Sequence, residues 1–210
     1  MIAIITGDIV NSSTVEDPQV WLDPLKELFE RISPHPGDRM IYRGDSFQIK
    51  VLPEKGLRAS LLIISTVVAL DIPGLNVRQA IGIGRTDDPD AAINEASGEA
   101  FIYSGKLLDQ LTASGRRLGL RTPWEEINRE FDMMFRLVRV ILNGWTNRTA
   151  EVAGFLLGRE GITQTEIAKE LGLAQSTINA HIQRGSLHEI MELEKYYSDI
   201  ITDKIRETRD

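Results

Sequence analysis

The stretch that decides the fold is MIAIITGDIVNSS, Met1–Ser13. Ile2 to Ile5 are apolar, and the run passes through Thr6 into Gly7-Asp8 without a break. A short apolar run that stops at Gly reads as a buried central strand. On this reading Asp8 is delivered at the strand's end, where the chain turns outward. The small polar residues Asn11, Ser12, Ser13 and Thr14 follow and leave backbone N–H groups free. A carboxylate at the lip of a central strand, beside such a turn, is chemistry suited to a divalent cation such as Mg²⁺ and to phosphate.

Outward from that strand, Asp17-Pro18 is a helix start, and Val20, Trp21, Leu25, Leu28, Phe29 and Ile32 recur at helical spacing up to Pro34-His35-Pro36-Gly37. Arg39–Arg43 and Ser46–Leu52 alternate like strands, joined by Gly44-Asp45, a hairpin turn that needs positive φ. Asp45 therefore sits at a hairpin tip. Gly56–Leu70 is apolar nearly all round, which implies a well buried helix. Leu75–Gly84 reads as a strand in which Gly82 and Gly84 leave room for a close backbone or ligand. Residues 91–112 read as mostly helical with an interruption near Gly98, and Arg116–Arg121 as an edge strand. The order βαββαβαβ implies an α/β (α+β) domain over residues 1–122, a ferredoxin-like or palm-type sheet with helices packed on it.

Thr122-Pro123-Trp124-Glu125 has capping-box spacing. Trp124, Ile127, Phe131, Met134, Val138, Ile141 and Trp145 then alternate by three and four, the spacing of a coiled-coil seam. Residues 123–146 form a long connecting helix on this reading. Its stripe either packs on the sheet domain or pairs with a second copy, giving a homodimer.

From residue 147 to 210 the chain reads as a separate all-α unit. Glu151–Arg159 is helical. Thr163-Gln164-Thr165-Glu166 is a second capping box opening a helix to Leu171, Gly172-Leu173 is a tight turn, and Gln175–Arg184 is the next helix. Ser186 can cap a final helix, 187–206. The stretch TQTEIAKELGLAQSTINAHIQRG closely resembles the helix-turn-helix of bacterial transcription regulators, in which the second helix enters the major groove of double-stranded DNA. The residues expected to face DNA are Gln175, Ser176, Thr177, Asn179, His181, Gln183 and Arg184. Amides suit adenine edges, hydroxyls suit phosphate, and Arg suits guanine or phosphate. No acid occurs between Gln175 and His188, yet residues 147–210 carry eight Lys and Arg against eleven Asp and Glu, a balance of −3. Non-specific affinity for DNA is therefore expected to be weak and salt-sensitive.

Composition sets further bounds. The net charge of −7 argues against a general nucleic-acid coat or a membrane-surface protein. With no Cys there is neither a disulfide framework nor a thiolate zinc site. Leu61–Leu70 is the longest apolar run and is too short to span a bilayer. The N-terminus lacks a basic n-region and a cleavage site. A cytoplasmic protein is expected. His35, His181 and His188 are scattered, and Asp87, Asp88 and Asp90 read as a solvated loop.

Asp8-Ile9-Val10-Asn11-Ser12-Ser13 and Gly44-Asp45 resemble the two acid motifs of the class III nucleotidyl cyclase and polymerase-palm group. Residues 77–84 are similar to that group's glycine-containing central strand, and 98–107 to its later helix. The resemblance implies that Asp8 and Asp45 hold Mg²⁺ or another divalent cation carrying a nucleotide, with Asn11, Ser12, Ser13 and Lys106 near its phosphates. The later helix of that group carries an Asn and, four residues on, an Arg; here those positions hold Ile102 and Lys106. Its base-selecting Lys has no counterpart before the hairpin, where Arg39 and Arg43 stand. Over nearly its full length the chain also resembles the SatD family of small bacterial regulators. The expectation is a dimeric transcription regulator with a metal- and nucleotide-binding sensor domain. The alternatives are a divergent cyclase or nucleotidyltransferase using Asp8 and Asp45, and a protein-interaction scaffold.

Overall fold

The structure, a computed structural model, describes residues 1–42, 44–88 and 90–208. Arg43 lies outside the described residues. The chain runs β1 (Ile2–Val10), α1 (Gln19–Ile32), β2 (Arg39–Tyr42), β3 (Ser46–Val51), α2 (Gly56–Ala69), β4 (Asn76–Gly84), α3 (Glu99–Ser114), β5 (Leu118–Arg121), α4 (Glu125–Asn143), α5 (Asn147–Gly158), α6 (Gln164–Leu171), α7 (Gln175–Arg184) and α8 (Leu187–Glu207). The fold is mixed α/β, with a C-terminal helical region that holds the helix-turn-helix.

The five strands lie in the order β2-β3-β1-β4-β5. β1 is antiparallel to both of its neighbours, and β2 is antiparallel to β3. With helices α1 and α2 crossing over, this is the ferredoxin-like arrangement; β5 is added parallel to β4 at the edge. β1 is central, as its apolar run implied, but it is nine residues long and contains Asp8 rather than ending before it.

Side chains alternate between the two faces of β1. Ala3, Ile5 and Ile9 enter the main core, while Ile4 meets Ile93 and Ala100 on the opposite face. That opposite face carries α3. The helix lies so close to β4 that a Cβ at Gly82 would fall 2.2 Å from the Ala100 carbonyl and 2.5 Å from the Ser104 amide. The glycines of this strand thus admit a backbone. A polar chain ties the layers together: Gln48 Nε2 donates to Thr6 Oγ1 at 3.2 Å, and the Thr6 hydroxyl bonds Ser104 Oγ at 2.8 Å. Helix α3 starts only at Glu99, so the helix expected over 91–98 is instead a series of turns.

Helix α2 is buried on almost every side because the sheet covers one flank and α5 the other. Leu57, Leu61 and Ile63 are fully buried, each contributing about 1.5–3 kcal/mol by leaving water. One continuous core therefore runs from Ile5 to Ile201, joining the sheet to the C-terminal helices.

The apolar stripe of α4 packs inside this chain. Ile127, Phe131, Phe135 and Val138 are buried against β5 and α8, with Phe131 stacked on Tyr196 and edge-on to Tyr197. The seam therefore cannot serve a second copy in this arrangement; the sheet and α8 already cover it. Trp145 is buried too, and its indole Nε1 donates to the Gly185 carbonyl at 2.9 Å. The expected capping box at Thr122–Glu125 does not form. Asn128 reaches back instead: its Oδ1 accepts from the Thr122 N–H at 2.8 Å, and Thr122 Oγ1 accepts from the Trp124 N–H at 3.0 Å.

Helix α8 returns to the sheet domain. The Tyr197 hydroxyl, fully buried, donates to the Pro53 carbonyl at 2.9 Å, and burial raises its pKa. Arg58 grips Glu194 with two hydrogen bonds of 3.0 and 2.9 Å. Among the described residues no helix is long and apolar enough to cross a membrane.

Candidate functional site

The C-terminal site is built on two short helices. At the start of α6 the capping box is complete: Thr163 Oγ1 accepts the Glu166 N–H at 3.2 Å, and Glu166 Oε2 accepts the Thr163 N–H at 2.8 Å. The hydrogen bonds from the Thr163 side chain and backbone hold the Glu166 carboxyl below its ordinary range. The turn over 172–174 then swings the chain into α7. Ile167 and Ala168 on α6 and Ile178 and Ile182 on α7 are buried together, which fixes the crossing of the two helices.

Burial of Ile178 and Ile182 turns the other side of α7 outward. Gln175, Ser176, Asn179, Gln183 and Arg184 are exposed, and Thr177 is half-buried. None of these six side chains has a hydrogen bond or ion pair with the rest of the chain among the described residues. His181 is different. Its Nδ1 faces Thr149 Oγ1 of α5 at 3.2 Å, so it belongs to the inner packing and leaves the outward set. Nor does Ser176 or Gln175 cap the helix: the residue at the N-cap is Ala174 and no side chain bonds there. At the next junction Ser186 adopts a left-handed conformation, φ 47°, and likewise makes no capping bond.

Lys169 on α6 joins the outward group; it is exposed and unpaired among the described residues. Its sequence signal is ambiguous, since a lysine in a last helical turn also answers the helix dipole. Arg159, by contrast, is taken up by Glu170 at 2.9 Å and lies over the Phe155 ring, 5.1 Å from its centre. After Arg184 the chain goes straight into α8, with no strand there among the described residues.

The carboxylates of the sheet domain do come together. Asp8 pairs across the sheet with Ser46, and Asp45 directly precedes that residue. Burial raises the Asp8 pKa; Arg78, 3.6 Å away, opposes this, and the Asp45 charge adds to it. Both acids have internal partners. Asp45 Oδ2 accepts the Ser12 hydroxyl at 2.8 Å, and the Asp45 carbonyl accepts the Ile9 N–H at 3.0 Å. Gly44 has the expected positive φ, 86°, but Tyr42 pairs with Ser46, so more than two residues separate the strands.

The remaining predicted ligand residues are dispersed. The Asn11 side chain donates to the Gly74 carbonyl at 2.8 Å. Ser13 is exposed. Ile102 and Lys106 lie one turn apart on the exposed side of α3, and Lys106 bonds to nothing among the described residues. Among the described residues Arg78 is the cation paired with Asp8, and its Nε is buried without a partner. Among the described residues no three His, Asp or Glu side chains gather as a metal cluster.

Comparison with known proteins gives one match. A family model described as winged helix-turn-helix DNA-binding matches residues 155–184, which run from within α5 to the end of α7. No cyclase-like or SatD family model matches the chain. No curated protein matches it. No solved structure matches it. What the chain shares with known families is thus its helix-turn-helix, a DNA-binding element.

Proposed function

We propose that this protein is a DNA-binding transcription regulator that reads the major groove with α7. One observation carries the reading: on the second helix of a helix-turn-helix, five polar or basic side chains stand exposed with no partner among the described residues. Unspent amides suit base edges, and Arg184 and Lys169 suit phosphate or guanine. The test is retardation of a pool of random duplex DNA at low salt. Arg184→Ala and Asn179→Ala should bind less well while folding normally; equal retardation by both variants would defeat the reading.

The dimer that such readers need for paired half-sites has support on a face of α4 other than the expected seam. Met133, Leu137 and Val140 recur at four and three residues and are 62%, 65% and 69% exposed. An apolar stripe this exposed on a helix otherwise well packed fits a second copy. Sedimentation of Leu137→Glu as a monomer, against a wild-type dimer, is the expected result.

A second reading concerns Asp8 and Asp45. Two neighbouring carboxylates, one of them made costly to ionise by burial, suit a hydrated divalent cation, with Ser13 and the turn over 12–14 open to a phosphate on it. Arg78 competes for Asp8, and Ile102 stands where the resembling group carries an Asn, so the support is for binding rather than turnover. Mn²⁺ should raise the melting temperature of the wild type and not of Asp45→Asn.

A further inference from the structure

A cleft lies where α4 crosses the start of β5, on the face of the sheet that holds the main core, whereas Asp8 shares the opposite face with Ile4. Its floor is apolar: Ile64 and Val68 of α2, Val77 of β4, and Leu118 of β5, with Phe135 and Leu142 closing the α4 side. The cleft is narrow, with a cavity volume of about 50 Å³. It is a slot, fit for a flat or unbranched apolar body.

The rim is strongly cationic. Arg116, Arg117, Arg136 and Arg139 line it against the one carboxylate of Asp132. Asp132 is shared: it binds Arg116 and also Arg136, the latter at 2.7 Å. Burial works against its ionised form, but the hydrogen bonds from the two guanidinium groups outweigh this and hold the carboxyl below its ordinary range. Arg117 and Arg139 are left over. Both are exposed, and neither has a hydrogen bond or ion pair among the described residues. Arg117 also stands on a firm base, because its carbonyl accepts the Gln79 N–H of β4 at 2.8 Å.

We infer that this slot binds a small organic carboxylate, its apolar body on the Ile64–Val68–Leu118 floor and its anionic head between Arg117 and Arg139. An apolar slot alone would take a neutral ligand, and two free guanidinium groups alone would take inorganic phosphate. Together they select an amphipathic anion, since guanidinium pairs well with carboxylate and the floor contributes by excluding water.

The slot is placed to be felt at α7. Leu142 and Asn143 line it, and Trp145, two residues on, holds the Gly185 carbonyl just past the end of α7. An occupant that shifts the end of α4 therefore shifts the contact that fixes the end of α7. This consequence rests on the proposed DNA reading; the binding itself does not.

The test uses the full chain with 2-naphthoate and decanoate as probes, titrated by calorimetry, and decyltrimethylammonium as the cationic control. One saturable site per chain is expected for the carboxylates and none for the cation. Arg117→Gln and Arg139→Gln should each weaken binding about tenfold, the loss of one charge-assisted hydrogen bond. Both residues are exposed, so these variants keep the wild-type melting temperature. Val68→Phe, which fills the floor, should abolish binding. Absence of saturable carboxylate binding, or binding indifferent to both arginine variants, overturns the inference, and either result leaves the DNA assay standing on its own.

Discussion

The lip of the sheet and the outer face of α7 are both rich in polar side chains, but they use them oppositely. At the lip, Asp8 faces Arg78, Asp45 takes the Ser12 hydroxyl, and Asn11 is tied to Gly74. On α7, Gln175, Asn179, Gln183 and Arg184 bond to nothing in the chain among the described residues. Polar groups answered from within hold a fold together; polar groups left unanswered at a surface are available to a partner. The two regions therefore differ in their availability to a partner more than their similar composition suggests.

Breaking an internally answered group should affect stability and spare binding. Arg58→Ala leaves Glu194, only 5% exposed, as a buried carboxylate without its cation. A loss of about 3 kcal/mol in chemical denaturation is expected, the usual cost of breaking a buried pair from one side. Breaking an unanswered group should do the reverse. Asn179→Ala should cost about 1–3 kcal/mol in DNA affinity if it reads a base, with no change in denaturation midpoint. Trp145→Phe lies between the two classes: losing the bond to the Gly185 carbonyl should cost about 1 kcal/mol of stability.

The smallest effect is the most diagnostic for the lip. Burial raises the Asp8 pKa, so the folded state favours its protonated form. Its contribution to stability is greatest below the unfolded value of about 3.9 and is lost as pH rises through the raised folded value. Asp8→Asn should therefore melt slightly higher than the wild type at neutral pH, the advantage vanishing in acid. A variant that melts lower at neutral pH would mean that Arg78 outweighs burial.

Much of this was legible from the residues. The strand and helix order followed from alternation and from Gly and Pro punctuation, and the meeting of Asp8 with Asp45 followed from a central strand flanked by a hairpin. The Thr163 capping box was readable because its two partners are local. The α4 stripe stayed open between two readings for a physical reason: spacing by three and four records that one face is buried, and says nothing of whether a sheet, α8 or a second copy buries it. His181 was misplaced because a helix's sequence alone does not fix where α5 will cross it. Thr122, Ser176 and Ser186 have capping chemistry, but the caps were decided by Asn128 and by local backbone geometry. The cationic slot had no sequence signature, since Arg117 and Arg139 come together only when α4 folds back over β5.

The central claim is that the unanswered face of α7 meets DNA, and its most direct test is salt-dependent anisotropy of a labelled random duplex with the full chain. Saturable binding is expected at low salt, weakening linearly as the logarithm of salt rises, with the slope shallower by about one in Arg184→Ala. Absence of saturable binding at low salt, or a slope unchanged in that variant, would contradict it.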